Sequence, residues 1–153
     1  MTHPPKRMGL SPAEITDGPF KGWMSWGETD PFDAHVGPFY HRADPERGVV
    51  CAFEPVERHL NGLGLVHGGA LMCLSDYALF AIAWQALGQD GGVTVHLSGD
   101  FLAAGRLGDR IEASGAVTRA GGTLLFVRGD LSVQGRTLLN WSGIIQRLQP
   151  KRR

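Results

Sequence analysis

Along this chain of 153 residues the spacing of apolar positions changes character at a few sharp points. Residues 70–87, ALMCLSDYALFAIAWQAL, are apolar around the whole helical circumference, which predicts a helix buried on every side. A glycine-rich turn, 62–69, opens it, and Gly88 ends it ahead of a turn over 89–92. Beyond that turn the period becomes two. Val93, Val95, Leu97 and Phe101 alternate with Thr94, His96, Ser98 and Asp100, as in a half-buried strand whose polar face carries Thr94, His96 and Ser98. Ile111, Ala113 and Val117 continue the alternation, then Leu125, Val127, Leu131 and Val133, then residues 138–145. Turns over 105–109, 120–122 and 134–135 separate these strands.

Upstream, 37–42 and 49–53 are short strands flanking a turn at 43–48. Ser11-Pro12-Ala13-Glu14 has the form of a capping box with proline at the first helical position, which predicts a short helix. Between Phe20 and Phe39 the chain is rich in rings (Trp23, Trp26 and Phe32 among them) broken by Gly and Pro. This is packed irregular chain, either a flap that plugs one end of the core or a set of rings lining a pocket. Residues 1–10 and 151–153 are expected to fray. The order is two strands, a long helix, then four strands joined by loops too short for crossover helices. That is an α+β chain with one antiparallel sheet of about five or six strands around one central helix. Residues 1–47 are an aromatic-rich flap of the same domain, and 48–153 are its body.

Composition narrows the functional classes. Lys plus Arg and Asp plus Glu number 15 each, so net charge points to neither nucleic acid nor an anionic membrane. Two cysteines, Cys51 and Cys73, are too few for a disulfide framework and are expected in the core of a protein in a reducing compartment. The start, MTHPPKRMGLSPAE, has no apolar run of a signal peptide, which makes a cytoplasmic location the expectation. The long helix approaches transmembrane length, but Asp76 alone would cost about 2.5–3.5 kcal/mol at mid-membrane. A core helix of a soluble protein is the better reading.

Chemistry concentrates on that helix. Asp76 is its single charged residue, and desolvation would push such a carboxyl toward the range of a general base. The turn His67-Gly68-Gly69 places free backbone N–H groups at the helix start, with the Gly68 N–H suited to polarise a carbonyl. Gly68 and Asp76 are eight residues apart, about 12 Å along one helix, so they cannot act on one carbon within one chain. A twofold dimer with antiparallel helices would bring one chain's acid to the other's glycine corner. His59, His67 and His96 match no metal-ligand spacing, and no HExxH or CxxC occurs, so no metal is expected. His67 instead caps or orients the turn. A serine-nucleophile GxSxG and the glycine-rich nucleotide motifs are also missing.

The run His59-x-Asn61-x-x-Gly64-x-x-His67-Gly68-Gly69, followed by Leu74-Ser75-Asp76, resembles the signature of hotdog-fold acyl-CoA thioesterases of the phenylacetate-degradation (PaaI-like) type. Gly92-Val93-Thr94-Val95, Phe101-Leu102 and Gly108-Asp109 fall where that family places its next strand and turn. The resemblance covers about residues 48–147. It implies a hotdog fold, a dimer or dimer of dimers, and hydrolysis of an acyl-CoA to acid and CoA without a cofactor, CoA being part of the substrate. It also implies that Asn61 and the Gly68 N–H polarise the thioester carbonyl. Asp76 and Thr94 of the facing chain then hold and activate water, with Asp76 as base or as nucleophile. His59, His67, Gly69 and His96 would lie on the substrate side, and Arg106, Arg119, Gly121 and Gly122 on the loops near CoA. Two rival readings are a hotdog acyl-thioester dehydratase or hydratase and a non-catalytic acyl-CoA binder.

Overall fold

The computed structural model describes residues 11–88 and 91–148. In chain order these form β1 (Ala13–Glu14), β2 (Met24–Ser25), α1 (Pro31–Val36), β3 (Tyr40–Asp44), β4 (Gly48–Phe53), α2 (Gly68–Leu87), β5 (Gly92–Phe101), β6 (Ile111–Ala120), β7 (Leu124–Val133) and β8 (Arg136–Arg147). The strands make one antiparallel sheet in the order β1-β2-β3-β4-β6-β7-β8-β5, which curls around α2. This is the hotdog architecture, with eight strands where the sequence predicted five or six. The additional strands are the two-residue β1 and β2, too short to carry a periodic signal.

The sheet holds the helix through rows of inward residues. Leu139, Leu131, Ala113 and Cys51 are cross-strand partners on four successive strands, and all are fully buried. Alternation along each strand fixes this register, because a one-residue slip would turn every one of them outward. At Gly129 the sheet comes so close to Trp141 that a Cβ would lie 2.6 Å from its ring. The helix stops at Gly88, whose φ of 71° suits glycine. Arg147 Nη1 donates to the Leu87 carbonyl at 2.9 Å, satisfying an acceptor at that helix end.

Two expectations are corrected. Ser11–Glu14 forms no helix; Ala13 and Glu14 pair with Ser25 and Met24, because tertiary pairing outweighs a weak local capping signal. Nor is α2 buried on every side within one chain. Gly69, Cys73, Asp76 and Phe80, spaced at one helical face, keep partial or full exposure. Cys73 is therefore half-buried, whereas Cys51 lies in the core. By length and mean hydropathy (1.4) this helix could cross a membrane, yet half of that span is buried inside its own chain. The predicted fray at 1–10 and 151–153, and Gln89 and Asp90 of the turn, lie outside the described residues.

The aromatic segment is packed through most of its rings. Phe20 and Trp23 pack with Val50 and Ala52 in a cluster separate from the main core. Trp26 crosses into the main core, stacking on His41 with ring centroids 4.5 Å apart. Tyr77 Oη and His41 Nδ1, 2.7 Å apart, fasten this segment to α2. Burial lowers the His41 pKa to about 4, so the ring is neutral at pH 7.

Candidate active site

Asp76 sits mid-helix on the half-exposed face, and Thr94 Oγ1 donates to its Oδ1 at 2.7 Å. The acid thus has a hydroxyl partner within its own chain. Burial raises its pKa, the Thr94 hydrogen bond partly opposes that rise, and nearby Asp30 adds to it.

Thr94 reaches Asp76 because simple alternation fails on β5. Thr94 pairs with Ile145 and His96 with Ile144, so Val95 is an extra residue in a bulge. Thr94 then shares the helix-facing row with buried Ile145, and His96 faces the other way. The predicted shared face of Thr94, His96 and Ser98 is corrected accordingly. His96 instead meets Ser98 Oγ at 3.2 Å on the outer face, in a groove that also holds Arg119 and Arg128.

The start of α2 gathers a second set. His67 is the N-cap, and its Nδ1 accepts from Gly69 N–H at 2.8 Å, the capping role expected of it. Ala70 and Leu71 N–H both donate to the His67 carbonyl. That leaves the Gly68 N–H with no acceptor among the described residues. The Phe101 ring covers this glycine; a Cβ there would lie 3.1 Å from Cε1.

Asn61 Oδ1 accepts from Leu63 N–H at 2.9 Å and Leu65 N–H at 3.2 Å, which closes the loop ahead of the helix. Its amide NH₂ has no acceptor among the described residues. The loop is buttressed from outside, since Val66 N–H donates to the Gly105 carbonyl at 2.9 Å. This places Arg106 next to the loop.

His59, which the resemblance puts on the substrate side, has its ring turned into its own chain. Its Nδ1 accepts from Val56 N–H at 2.9 Å and its Nε2 donates to the Val36 carbonyl at 2.8 Å. With both nitrogens committed and only 5% exposure, it ties the loop to the end of α1. Gly121 and Gly122 lie on the β6–β7 hairpin beside Arg147, at the opposite end of α2 from Gly68.

A cavity of about 390 Å³ opens onto Asp76. Its walls include Trp26, Phe32, Phe80 and Trp84, and Asp30 and Asp33 of the N-terminal segment share it with Asp76. Asp30 caps α1, its Oδ1 accepting from Phe32 and Asp33 N–H at 3.0 and 3.1 Å. Burial first, then the charges of Asp30 and Asp76, raise the Asp33 pKa to about 7. Neither acid was singled out from the sequence. The Asp30-Pro31 pair, an N-cap followed by proline at the first helical position, was the available signal for α1. No local signal brings α1 to the middle of α2.

A single apolar helix rolled in one antiparallel sheet places the chain in the class of hotdog-fold proteins. The Thioesterase superfamily matches residues 63–140. The chain belongs to that family and is a thioester hydrolase. A Pseudomonas aeruginosa protein, named provisionally as an esterase, is 32% identical over 125 residues, covering 81% of this chain and 93% of the relative. Mouse acyl-coenzyme A thioesterase 13 is 30% identical over 91 residues, 59% of this chain and 64% of its own. Among solved structures, a mutant of the phenylacetic acid degradation protein PaaI from Thermus thermophilus superposes with a TM-score of 0.68 at 24% identity. It covers 78% of this chain and all of its own. A hypothetical thioesterase from Streptococcus pneumoniae, solved with coenzyme A, gives 0.62 at 25% identity over 72% of this chain and 91% of its own.

Proposed function

We propose that the protein hydrolyses acyl-CoA thioesters in sites shared between two copies of the chain. The observation that carries this is the position of Asp76: a half-buried carboxylate, oriented by Thr94, on a helix face that one chain leaves partly uncovered. β5 is an edge strand of ten residues bonded on one side to β8, and Val93 and Val95 on it are exposed. An unprotected edge of this kind is a template for pairing with a second copy. Pairing two β5 strands about a twofold axis would run the two α2 helices antiparallel and set each Asp76 against the other chain's Gly68. The acyl-CoA names of the relatives, and the coenzyme A in one neighbour, favour this substrate.

In this reading the thioester oxygen accepts from the Gly68 N–H and the Asn61 amide of one copy. Asp76 of the other copy takes a proton from water as the water oxygen bonds to the carbonyl carbon. The oxyanion then collapses, the C–S bond breaks, and the departing CoA sulfur takes the proton back from Asp76. A carboxyl whose pKa is raised by burial is the stronger base for that first step. Asp76→Ala should reduce thiol release from acyl-CoA by about a thousandfold or more while the oligomer stays folded. Near-normal turnover in that variant sinks the assignment. A single turnover in ¹⁸O-water followed by mass analysis of Asp76 separates a base, which acquires no label, from a nucleophile, which does.

A further inference from the structure

Three concave surfaces of the protein differ in charge. The groove at the start of α2 carries His35, Arg58 and His67, and the groove on the outer sheet face carries Arg119 and Arg128. The cavity that holds Asp76 has three carboxylates in its lining, Asp30, Asp33 and Asp76, and no Lys, Arg or His. Its remaining surface is mostly aromatic. Of the two acids that the N-terminal segment brings to this cavity, Asp33 lies within α1 itself, and that helix is well anchored. Asp30 caps that helix, Gly37 N–H donates to the Asp33 carbonyl at 2.8 Å, and His59 Nε2 bonds the Val36 carbonyl at its end. Among the described residues Asp33 has no ion pair.

Taking the acyl group of the proposed substrate to enter this cavity, we propose that Asp33 is a specificity-determining residue. It makes the site accept acyl groups with an uncharged far end and reject acyl groups that end in a carboxylate. An uncharged chain gains by burying apolar surface against Trp26, Phe80 and Trp84. A terminal carboxylate would give up water beside two or three like charges, and this chain's lining of the cavity offers it no cation. The rejection also depends on pH. The groups facing Asp33 are Asp30 on its own helix turn and Asp76, Cys73 and Tyr77 on α2, none of them cationic. Burial first, then the charges of Asp30 and Asp76, hold its pKa at about 7, whereas a substrate carboxylate stays ionised well below that. Discrimination therefore strengthens as pH rises through 7.

The test compares hexanoyl-CoA with adipoyl-CoA, which share a chain length and differ by the terminal carboxylate. Thiol release is measured with the full chain at pH 6 and pH 8. Hexanoyl-CoA should be favoured in kcat/KM by about tenfold or more at pH 8, and by less at pH 6. Asp33→Asn, and Asp33→Ser as a second variant, should shrink the pH 8 ratio and remove its dependence on pH. Equal turnover of the two thioesters by the wild type, or a ratio that neither variant changes, overturns the proposal. Failure of the proposed hydrolysis shows separately, as no thiol release from hexanoyl-CoA in the wild type.

Discussion

Thr94 Oγ1 lies 2.7 Å from Asp76 Oδ1 and joins the edge strand β5 to the middle of α2. The bond stabilises the ionised acid and holds one of its oxygens in place, leaving the other free to face the cavity. Thr94→Val should lower kcat by roughly ten- to a hundredfold, the scale of a hydrogen bond to a charged group. The Asp76 pKa, which the bond depresses, should rise, so the acid limb of the kcat/KM profile moves to higher pH. Thr94→Ser should restore both. A pH profile that keeps its position in the valine variant argues against this role.

Asn61 offers a cleaner probe of carbonyl polarisation than an alanine would. Asn61→Asp keeps an oxygen for the Leu63 and Leu65 N–H groups, so the loop should hold, and removes the NH₂. Turnover is expected to fall by about a hundred- to a thousandfold, with thermal stability close to wild type. A large loss of stability would assign Asn61 to the loop alone.

In the shared-site dimer proposed above, two of these substitutions can complement each other. Co-expressed Asp76→Ala and Asn61→Asp chains form hybrid dimers in which one site of the two regains both intact partners. With random pairing, about a quarter of the wild-type activity should return. If both residues act within one chain, mixing restores nothing.

Asp33 links stability to pH. Its pKa rises from 3.8 to about 7 on folding, so between those values the folded protein binds more protons than the unfolded chain. The contribution of Asp33 to stability is therefore fully present below about pH 3.8 and is lost as pH rises through about 7. Asp33→Asn should raise the melting temperature at pH 8, raise it less at pH 5, and leave it near wild type at pH 3.5. The shift corresponds to at most about 4 kcal/mol at the alkaline end. Melting curves across that range decide it; an increment that does not vary with pH contradicts it.

His59 anchors the loop ahead of α2 to the end of α1. His59→Ala strands the Val56 N–H and the Val36 carbonyl and should cost about 1–3 kcal/mol in urea unfolding. An unchanged midpoint would show that water replaces both bonds.

Much of this was legible along the chain because it follows from local geometry. The all-round apolar run with Gly88 after it specified α2, and period two specified the four long strands, since helical and pleated backbones repeat at fixed intervals. The 12 Å between Gly68 and Asp76 needed only the rise of a helix. The ends of the aromatic segment were less legible. Ala13 and Glu14 became a strand only because Met24 and Ser25 came alongside.

What tertiary structure decided was which side chains meet. One extra residue, Val95, turned Thr94 toward Asp76 and His96 away from it, and a bulge leaves no mark in an alternating pattern. Asp33 reached the Asp76 cavity because Trp26, His41 and Tyr77 pack α1's segment against α2. Periodicity is set by each residue's near neighbours, whereas the meeting of two acids from separate elements depends on long-range packing. Period and spacing therefore determined the elements of this protein, and packing alone determined the company that Asp76 keeps.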